Sequence, residues 1–185
     1  SSPPAPITGV RNIAELRLTN PTYHGQTFDV LGHTFAGVGG GSFYFDADDT
    51  TSPDDNGSII VSNGKRYKRI QPSMPTAEMF GAQVDPAQDQ SLFINRCMAV
   101  YKICFLEGRK TYNIHKQIQV TALKTFNDGL ATLNCISPTG DNRFGSIGAA
   151  VFASGSESNP LPGVDIQNIA VNCNSLLGAD GSSAL

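Results

Sequence analysis

The spacing of apolar residues changes from a helical to an alternating pattern around residues 89–102, and this change limits the folds that the chain can adopt. Apolar residues in this stretch follow the spacing of one helix face, and Asp89 stands where a helix N-cap is expected. After it, residues 102–120 alternate and turn at Glu107–Gly108, as strands do. The sequence therefore predicts one short core-facing helix between two strand-rich segments, with a stripe formed by Phe93, Ile94, Cys97, Met98 and Tyr101.

From about residue 118 onward, short strand-like pieces alternate with polar turns: IQVTAL, ATLNCI, SIGAAVFA and GVDIQNIAVN. Small apolar residues, Asn, Ser and Gly dominate them. Stacked short strands with small inward residues are typical of a solenoid, in which each coil buries its face only against its neighbours. There is room here for few coils, and the chain stops at GADGSSAL, so we expect the start of a longer solenoid.

Residues 7–71 predict a small antiparallel β module. Strand-like TFDVLGHTF and GSFYFDAD are joined by a glycine-rich run at 36–41, and a helix-like piece surrounds Ile13, Leu16 and Arg17. A hairpin through Asn63–Gly64 is expected to join SIIVSN to GKRYKRI. Residues 1–6 and 72–78 are interpreted as linkers, and residues 79–185 as a capping helix followed by the solenoid.

Two motifs in the module have a functional alternative. GVGGGS (37–42) resembles a phosphate loop, but it lacks the following Lys and Ser/Thr, and strand-like sequence succeeds it. KRYKR (65–69) could be a nucleic-acid strip, although acidic residues just upstream favour a solvated, locally balanced strand. The net charge of −3 gives no support to nucleic-acid binding. Nor does any apolar run approach the length needed to cross a bilayer, so no membrane insertion is expected.

The sequence predicts no metal or cofactor site. The four cysteines, Cys97, Cys104, Cys135 and Cys173, stand singly, without the paired spacing of zinc sites. The three histidines, His24, His33 and His115, are equally scattered. Small buried thiols in a protein made in a reducing cytosol are the favoured interpretation.

Several ordered features together resemble a known family. Phe80-Gly81-Ala82 precedes Asp85 and Asp89, and an apolar helix and a Gly-x-x-Thr-Tyr turn at 108–112 follow. This order resembles the start of the right-handed parallel β-helix of the pectate-lyase-like superfamily. Residues 30–70 resemble the small β module that precedes it in bacteriophage tailspikes, and GVDIQNIAVNCN resembles one β-helix rung.

The acidic positions depart from the family pattern. Asp85 is followed by Pro86 instead of glycine, and Asp89 by Gln90 instead of a second aspartate. As a pair these carboxylates could act as acid and base. As structural residues they would shape a turn and a helix N-terminus, which is the favoured interpretation.

No catalytic residue can be named from the sequence. Ten of the 16 acidic residues lie before position 90, and the six that follow are well separated: Glu107, Asp128, Asp141, Glu157, Asp165 and Asp180. Glycoside hydrolysis needs two carboxylates that face one bond. Residues on different rungs could still converge, but the few rungs present offer little surface for a saccharide.

The resemblance implies a homotrimeric tailspike on the phage virion, made in the host cytoplasm. It would contact other tail or baseplate proteins, attach to bacterial capsule or lipopolysaccharide, and degrade that glycan. This fragment would couple the tail-attachment end to the solenoid. Two alternatives stay open: a glycan-binding tail adhesin without enzymatic activity, and a secreted pectate-lyase-like enzyme.

Overall fold

A computed structural model describes residues 8–136, 151–152 and 163–172. Its contacts divide the chain into two compact units. The first contains the described residues 8–73 and 78–84, and the second contains 74–77, 85–136, 151–152 and 163–172. GADGSSAL, SSPPAP, Cys173, Asp141, Glu157 and Asp180 lie outside the described residues.

The first unit is a five-stranded sheet in the order β1-β2-β3-β5-β4. Its elements are β1 (Thr8–Val10), α1 (Ile13–Arg17), β2 (Thr27–Gly32), β3 (Gly39–Asp46), β4 (Ile59–Ser62) and β5 (Lys65–Arg69). The predicted antiparallel pairing is confirmed for β2 to β5, whereas β1 pairs parallel with β2. Parallel neighbours need a crossover between them, and α1 lies in that connection.

One face of this sheet holds the core of the first unit. Phe28, Phe43 and Tyr67 are buried there against Ile13 and Leu16 of α1. The rings of Phe28 and Tyr67 meet edge to face with centroids 5.5 Å apart, a favourable aromatic geometry.

The predicted hairpin between β4 and β5 is confirmed. Ser62 pairs with Lys65, and the turn residues Asn63 and Gly64 have φ of 48° and 77°. Two positive φ values are the requirement of the tight turn that matches strand twist, and Asn-Gly meets it best.

The second unit begins with a helix and continues as stacked parallel strands. A 3-10 helix, Ala77–Phe80, crosses the boundary between the units, and α2 spans Ser91–Tyr101. The strands are β6 (Cys104–Glu107), β7 (Thr111–Ile114), β8 (Ile118–Gln119), β9 (Ala122–Phe126), β10 (Ala131–Cys135), β11 (Val151–Phe152), β12 (Asp165–Ile166) and β13 (Ile169–Asn172). They form three sheets, β12-β9-β6, β13-β10-β7 and β11-β8, in which every pairing is parallel.

Each sheet therefore takes one strand from each successive turn of the chain, which is a parallel β-helix. Aligned positions stack inside it: Tyr112 and Leu133 pair, as do Ile114 and Cys135, and all four are buried. The predicted buried thiols are confirmed for Cys97, Cys104 and Cys135, which form no disulfide. The mainly β fold, with its small module, short helix and first rungs, is confirmed.

A ladder of asparagines connects the rungs along one sheet. The Asn134 amide donates to Asn113 Oδ1 at 2.8 Å, and the Asn172 amide donates to Asn134 Oδ1 at 3.1 Å. At the other end, the Asn113 amide donates to the Pro86 carbonyl at 3.0 Å. Because Asn offers one donor and one acceptor group per rung, the ladder fixes the register and links it to the loop before α2.

The helical stripe is confirmed in part. Ile94, Cys97 and Met98 are buried, whereas Phe93 and Tyr101 are only half-buried. The helix begins at Ser91 with Gln90 at the N-cap, one residue later than the predicted cap at Asp89. Among the described residues, no helix is both long and apolar enough to span a membrane.

Candidate functional site

The loop before α2, residues 85–90, is held by its two aspartates in different ways. Asp89 Oδ1 accepts hydrogen bonds from the Ser91 backbone N at 3.0 Å and the His115 backbone N at 2.9 Å, and also from the Ser91 hydroxyl. Asp89 therefore connects the start of α2 to the segment that follows β7. All three donors belong to the chain itself, so this oxygen holds the loop, the helix start and the following segment together.

Asp85 shapes the loop itself. Its Oδ1 accepts from the Ala87 backbone N at 3.3 Å, and its carbonyl accepts from the Gln90 side-chain amide at 2.9 Å. The same Gln90 amide also donates to the Gln88 carbonyl at 2.8 Å. The two aspartates thus bind separate donors of the chain, as turn and helix-start residues do.

Polar groups of α2 and its loop form hydrogen bonds with backbone groups at the outer edge of the first rung. Gln90 N donates to Asn113 O at 2.7 Å, and Lys116 N donates to Ser91 Oγ at 3.3 Å. The Asn95 side chain donates to Gln117 O and accepts from Gln119 N, both at 2.9 Å. One side-chain amide therefore imitates the donor and acceptor of a missing neighbouring strand.

A second segment seals the edge of β6. Phe105 N donates to Pro75 O at 2.8 Å, and Thr76 forms a parallel bridge with Phe105. All three sheets of the first rung consequently have an outer neighbour: Pro75–Thr76 on β6, the 85–90 loop on β7, and Asn95 on β8. An exposed strand edge is a template for unwanted pairing, so this sealing has a clear physical purpose. We call the set of Pro75, Thr76, Asp89, Gln90, Ser91 and Asn95 the rung seal.

The turns of the first two rungs enclose a polar cleft of about 490 Å³, lined by Glu107, Gly108, Arg109, Asn127 and Asp128. Glu107 lies 2.9 Å from the Lys110 ammonium and accepts from Asn127 at 3.4 Å. A Cβ on Gly108 would lie 2.5 Å from the Asp128 carbonyl, so only glycine allows the turns to stack this closely. The cleft presents both charge signs, and its half-buried carboxylate is already ion-paired.

Asp165 lies outside the residues that line the cleft, and it is also ion-paired. It lies 2.8 Å from the Lys124 ammonium, and hydrogen bonds from Lys124 and then Gln167 hold its pKa below the ordinary value. Among the residues described after position 90, this leaves only Asp128 as a carboxylate without an ion pair. A glycosidase pair needs two carboxyl groups about 5–9.5 Å apart across a substrate.

The glycine-rich run faces a buried arginine instead of a phosphate. The Arg69 guanidinium donates to the carbonyls of Gly57, Gly40, Gly39 and Met79 at 2.9, 2.6, 3.2 and 3.2 Å. It also lies 4.6 Å from the centre of the Phe43 ring. A Cβ on Gly41 would come within 2.5 Å of the guanidinium, which explains why glycine stands there. We call Arg69 and these four carbonyls the arginine cage.

Arg66 and Lys68 of KRYKR belong to the opposite face of the sheet from Arg69. The Lys68 ammonium lies 2.7 Å from Asp46 and 2.9 Å from Asp49, and these hydrogen bonds raise its pKa, Asp46 contributing most. The pKa of Asp49 is lowered, chiefly by hydrogen bonds from Ser52 and then by Lys68. Local carboxylates thus balance this strand, in agreement with the favoured interpretation of its sequence.

His24, Asp46 and Asp48 place possible metal ligands within 4.8 Å of one another. The His24 Nδ1 lone pair accepts from the Ala47 backbone N at 3.1 Å, however, and the Lys68 ammonium is paired with Asp46. A metal ion would have to displace both interactions, so this geometry favours a loop contact over a metal centre.

His33 is a buried titratable group of the first unit. Its Nε2 lies 2.8 Å from the Asn56 carbonyl and its Nδ1 lies 3.0 Å from the Thr34 hydroxyl. A carbonyl can only accept, so Nε2 carries the proton in the neutral ring. Burial lowers the pKa of His33 below its ordinary value of 6.5; the Asn56 hydrogen bond opposes this, and the charges of Arg69 and Arg17 add to the lowering.

This lowered pKa predicts acid sensitivity of the first unit. The unfolded chain binds the proton at His33 more readily than the folded chain, so stability is fully present above about pH 6.5 and is lost as the pH falls through the lowered folded pKa. His33→Gln keeps a donor for Asn56 but cannot titrate. Urea unfolding at about pH 7.5 and about pH 5 should show a smaller acid loss in His33→Gln than in the unsubstituted chain. Equal acid losses in both proteins would contradict this role.

The first unit matches a known protein family. Residues 9–72 match the phage tail protein small four-stranded β-sheet domain. A curated relative, the Mu-like prophage FluMu defective tail fiber protein of Haemophilus influenzae, is 31% identical over 107 residues. That alignment covers 56% of this chain but only 16% of the relative.

Solved structures similar to most of the chain include tailspikes. The tailspike of Acinetobacter baumannii phage AM24 is 24% identical, with a TM-score of 0.56, over 88% of this chain and 30% of that one. Pantoea stewartii WceF, a glycan biofilm modifying enzyme with a tailspike-like parallel β-helix, is 18% identical, with a TM-score of 0.62, over 92% of this chain and 26% of that one. A tailspike of Acinetobacter baumannii phage Fri1, a capsular polysaccharide depolymerase, is 14% identical, with a TM-score of 0.60. That match covers 96% of this chain and 34% of the Fri1 chain.

These comparisons confirm the resemblance to bacteriophage tailspikes that the sequence predicts. At such identities the solved structures establish the fold, and the chain spans only about a third or less of each of these three.

Proposed function

We propose that this chain is the tail-proximal region of a homotrimeric tailspike on the phage virion. The first unit would bind other tail or baseplate proteins, and the second would begin the β-helix that carries the glycan-binding surface. The observation that carries the proposal is the rung seal, which closes a parallel β-helix soon after a module that matches a phage tail domain. The described residues thus suit a structural role at the start of the solenoid.

The parent protein would bind bacterial capsule or lipopolysaccharide and cleave it, by hydrolysis or by elimination. Two similar structures are described as enzymes that act on glycans, which supports this assignment. The catalytic carboxylates would lie on later rungs, because Glu107 and Asp165 are engaged by lysines. Hydrolysis by a pair of carboxylates would need no cofactor or metal.

Incubation of the full-length parent with purified capsular polysaccharides and lipopolysaccharides tests the proposal. New reducing ends would show hydrolysis, and absorbance from unsaturated uronate would show elimination. Binding without cleavage of the host glycan would identify a non-enzymatic adhesin instead. A secreted monomeric enzyme is the other alternative, and a monomer in light scattering of the parent would contradict the trimer.

A further inference from the structure

The first unit contains two Asn-Gly dipeptides, Asn56–Gly57 and Asn63–Gly64. Asn-Gly is chemically labile because glycine has no side chain to block its backbone nitrogen. The deprotonated nitrogen attacks the Asn side-chain carbonyl carbon, a C–N bond closes a succinimide, and ammonia leaves. Water then opens the ring to aspartate or isoaspartate. In the sequence the two dipeptides look equivalent, and their environments in the folded chain differ.

In Asn56–Gly57, the groups that must move for the ring to close are held by hydrogen bonds. Gly57 N donates to the Asp55 carboxylate at 2.9 Å, so the attacking nitrogen is already engaged. The Asn56 side-chain oxygen accepts from Arg17 at 3.0 Å, and its backbone carbonyl lies 2.8 Å from His33 Nε2. Gly57 is also buried, with the Phe80 ring where a Cβ would stand.

Asn63–Gly64 has none of these restraints. Both residues are exposed at the tip of the β4–β5 hairpin, and nothing lies within 4 Å of the position of a Gly64 Cβ. Within the described part of the chain, the Asn63 side chain makes no hydrogen bond. Arg66 donates to the Gly64 carbonyl at 2.8 Å, which places a cation in the turn where the attacking nitrogen becomes an anion. Opposite charge at short range stabilises such an anion.

We infer that Asn63 is a site of spontaneous deamidation in the folded protein and that Asn56 is protected from it. The reaction needs only water and hydroxide as base. Its product adds a carboxylate beside Arg66, and the isoaspartate form also adds one carbon to the main chain of a two-residue turn. Because that turn sets the pairing of Ser62 with Lys65, the isoaspartate form should lose pairing at this end of the hairpin.

Peptide mapping by mass spectrometry, on the intact chain aged at mildly alkaline pH, tests the inference. Freeing Gly57 N requires breaking a hydrogen bond to a carboxylate, so Asn63 should convert at least about ten-fold faster than Asn56. In denaturant the two rates should approach each other. Equal or faster conversion of Asn56 in the folded chain would overturn the inference, as would an Asn63 that stays intact while the denatured chain converts.

Asp55→Asn provides a second, local test. An amide oxygen is a weaker acceptor than a carboxylate, so Gly57 N should be freed more often and the rate at Asn56 should rise. The rate at Asn63 should stay unchanged in the same sample, and circular dichroism of that sample checks that the sheet remains folded. An unchanged rate at Asn56 would contradict the protective role of Asp55.

Discussion

Replacing Arg69 with methionine is expected to lower the free energy of unfolding of the first unit by about 3–5 kcal/mol. Methionine retains much of the apolar stem but leaves the four carbonyls of the arginine cage without their donor. Each buried acceptor that loses its partner costs about 1–3 kcal/mol, and partial relaxation keeps the total below the sum. The loss follows from the position of this cation and does not depend on the net charge of the strand.

Arg66→Met on the same strand is the matched control. Arg66 is less buried and donates to Ser52 and Gly64 near the surface, so its replacement should cost about 1 kcal/mol or less. Urea unfolding followed by circular dichroism measures both. Equal losses in the two variants would contradict the arginine cage.

The second large effect concerns the rung seal. Asp89→Ala should lower the free energy of unfolding of the second unit by about 2–4 kcal/mol, because it removes charge-assisted hydrogen bonds to Ser91 and His115 together. The variant should also self-associate, since part of an edge in the first rung becomes available for pairing.

Asp85→Ala separates this role from a general effect of removing charge from the loop. Asp85 makes a single longer side-chain contact with Ala87, so about 0.5–1 kcal/mol is expected. Denaturant unfolding and light scattering of the two variants decide the matter. A loss for Asp85→Ala as large as that for Asp89→Ala would contradict the assignment.

Patterns with a local cause were predictable from the sequence. The Asn63–Gly64 turn, the short helix around Ile13 and Leu16, and the buried stripe of Ile94, Cys97 and Met98 follow from neighbouring residues alone. The parallel partner of β2 was not predictable in this way, because its pairing joins Thr8 to Phe28 across the crossover.

Sequence reasoning missed the residues whose side chains bind backbone groups far away in the sequence. Arg69 looked like part of a solvated basic strand, although period-two alternation places Tyr67 and Arg69 on one face and Arg66 and Lys68 on the other. No role was assigned to Asn95 from the sequence, because its partners, Gln117 and Gln119, lie more than twenty residues away. The available signal was that Asn95 is one of two polar residues, with Arg96, in the interior of an apolar helix.

Hydrogen exchange at three backbone amides tests the central claim that the loop and α2 seal the first rung. The backbone amides of His115, Lys116 and Gln119 donate to the side chains of Asp89, Ser91 and Asn95, respectively. If the seal is intact in solution, these amides should exchange as slowly as those within β7 and β10, and Asp89→Ala should release His115 first. Exchange at the rate of exposed turn amides in the unsubstituted chain would contradict the seal.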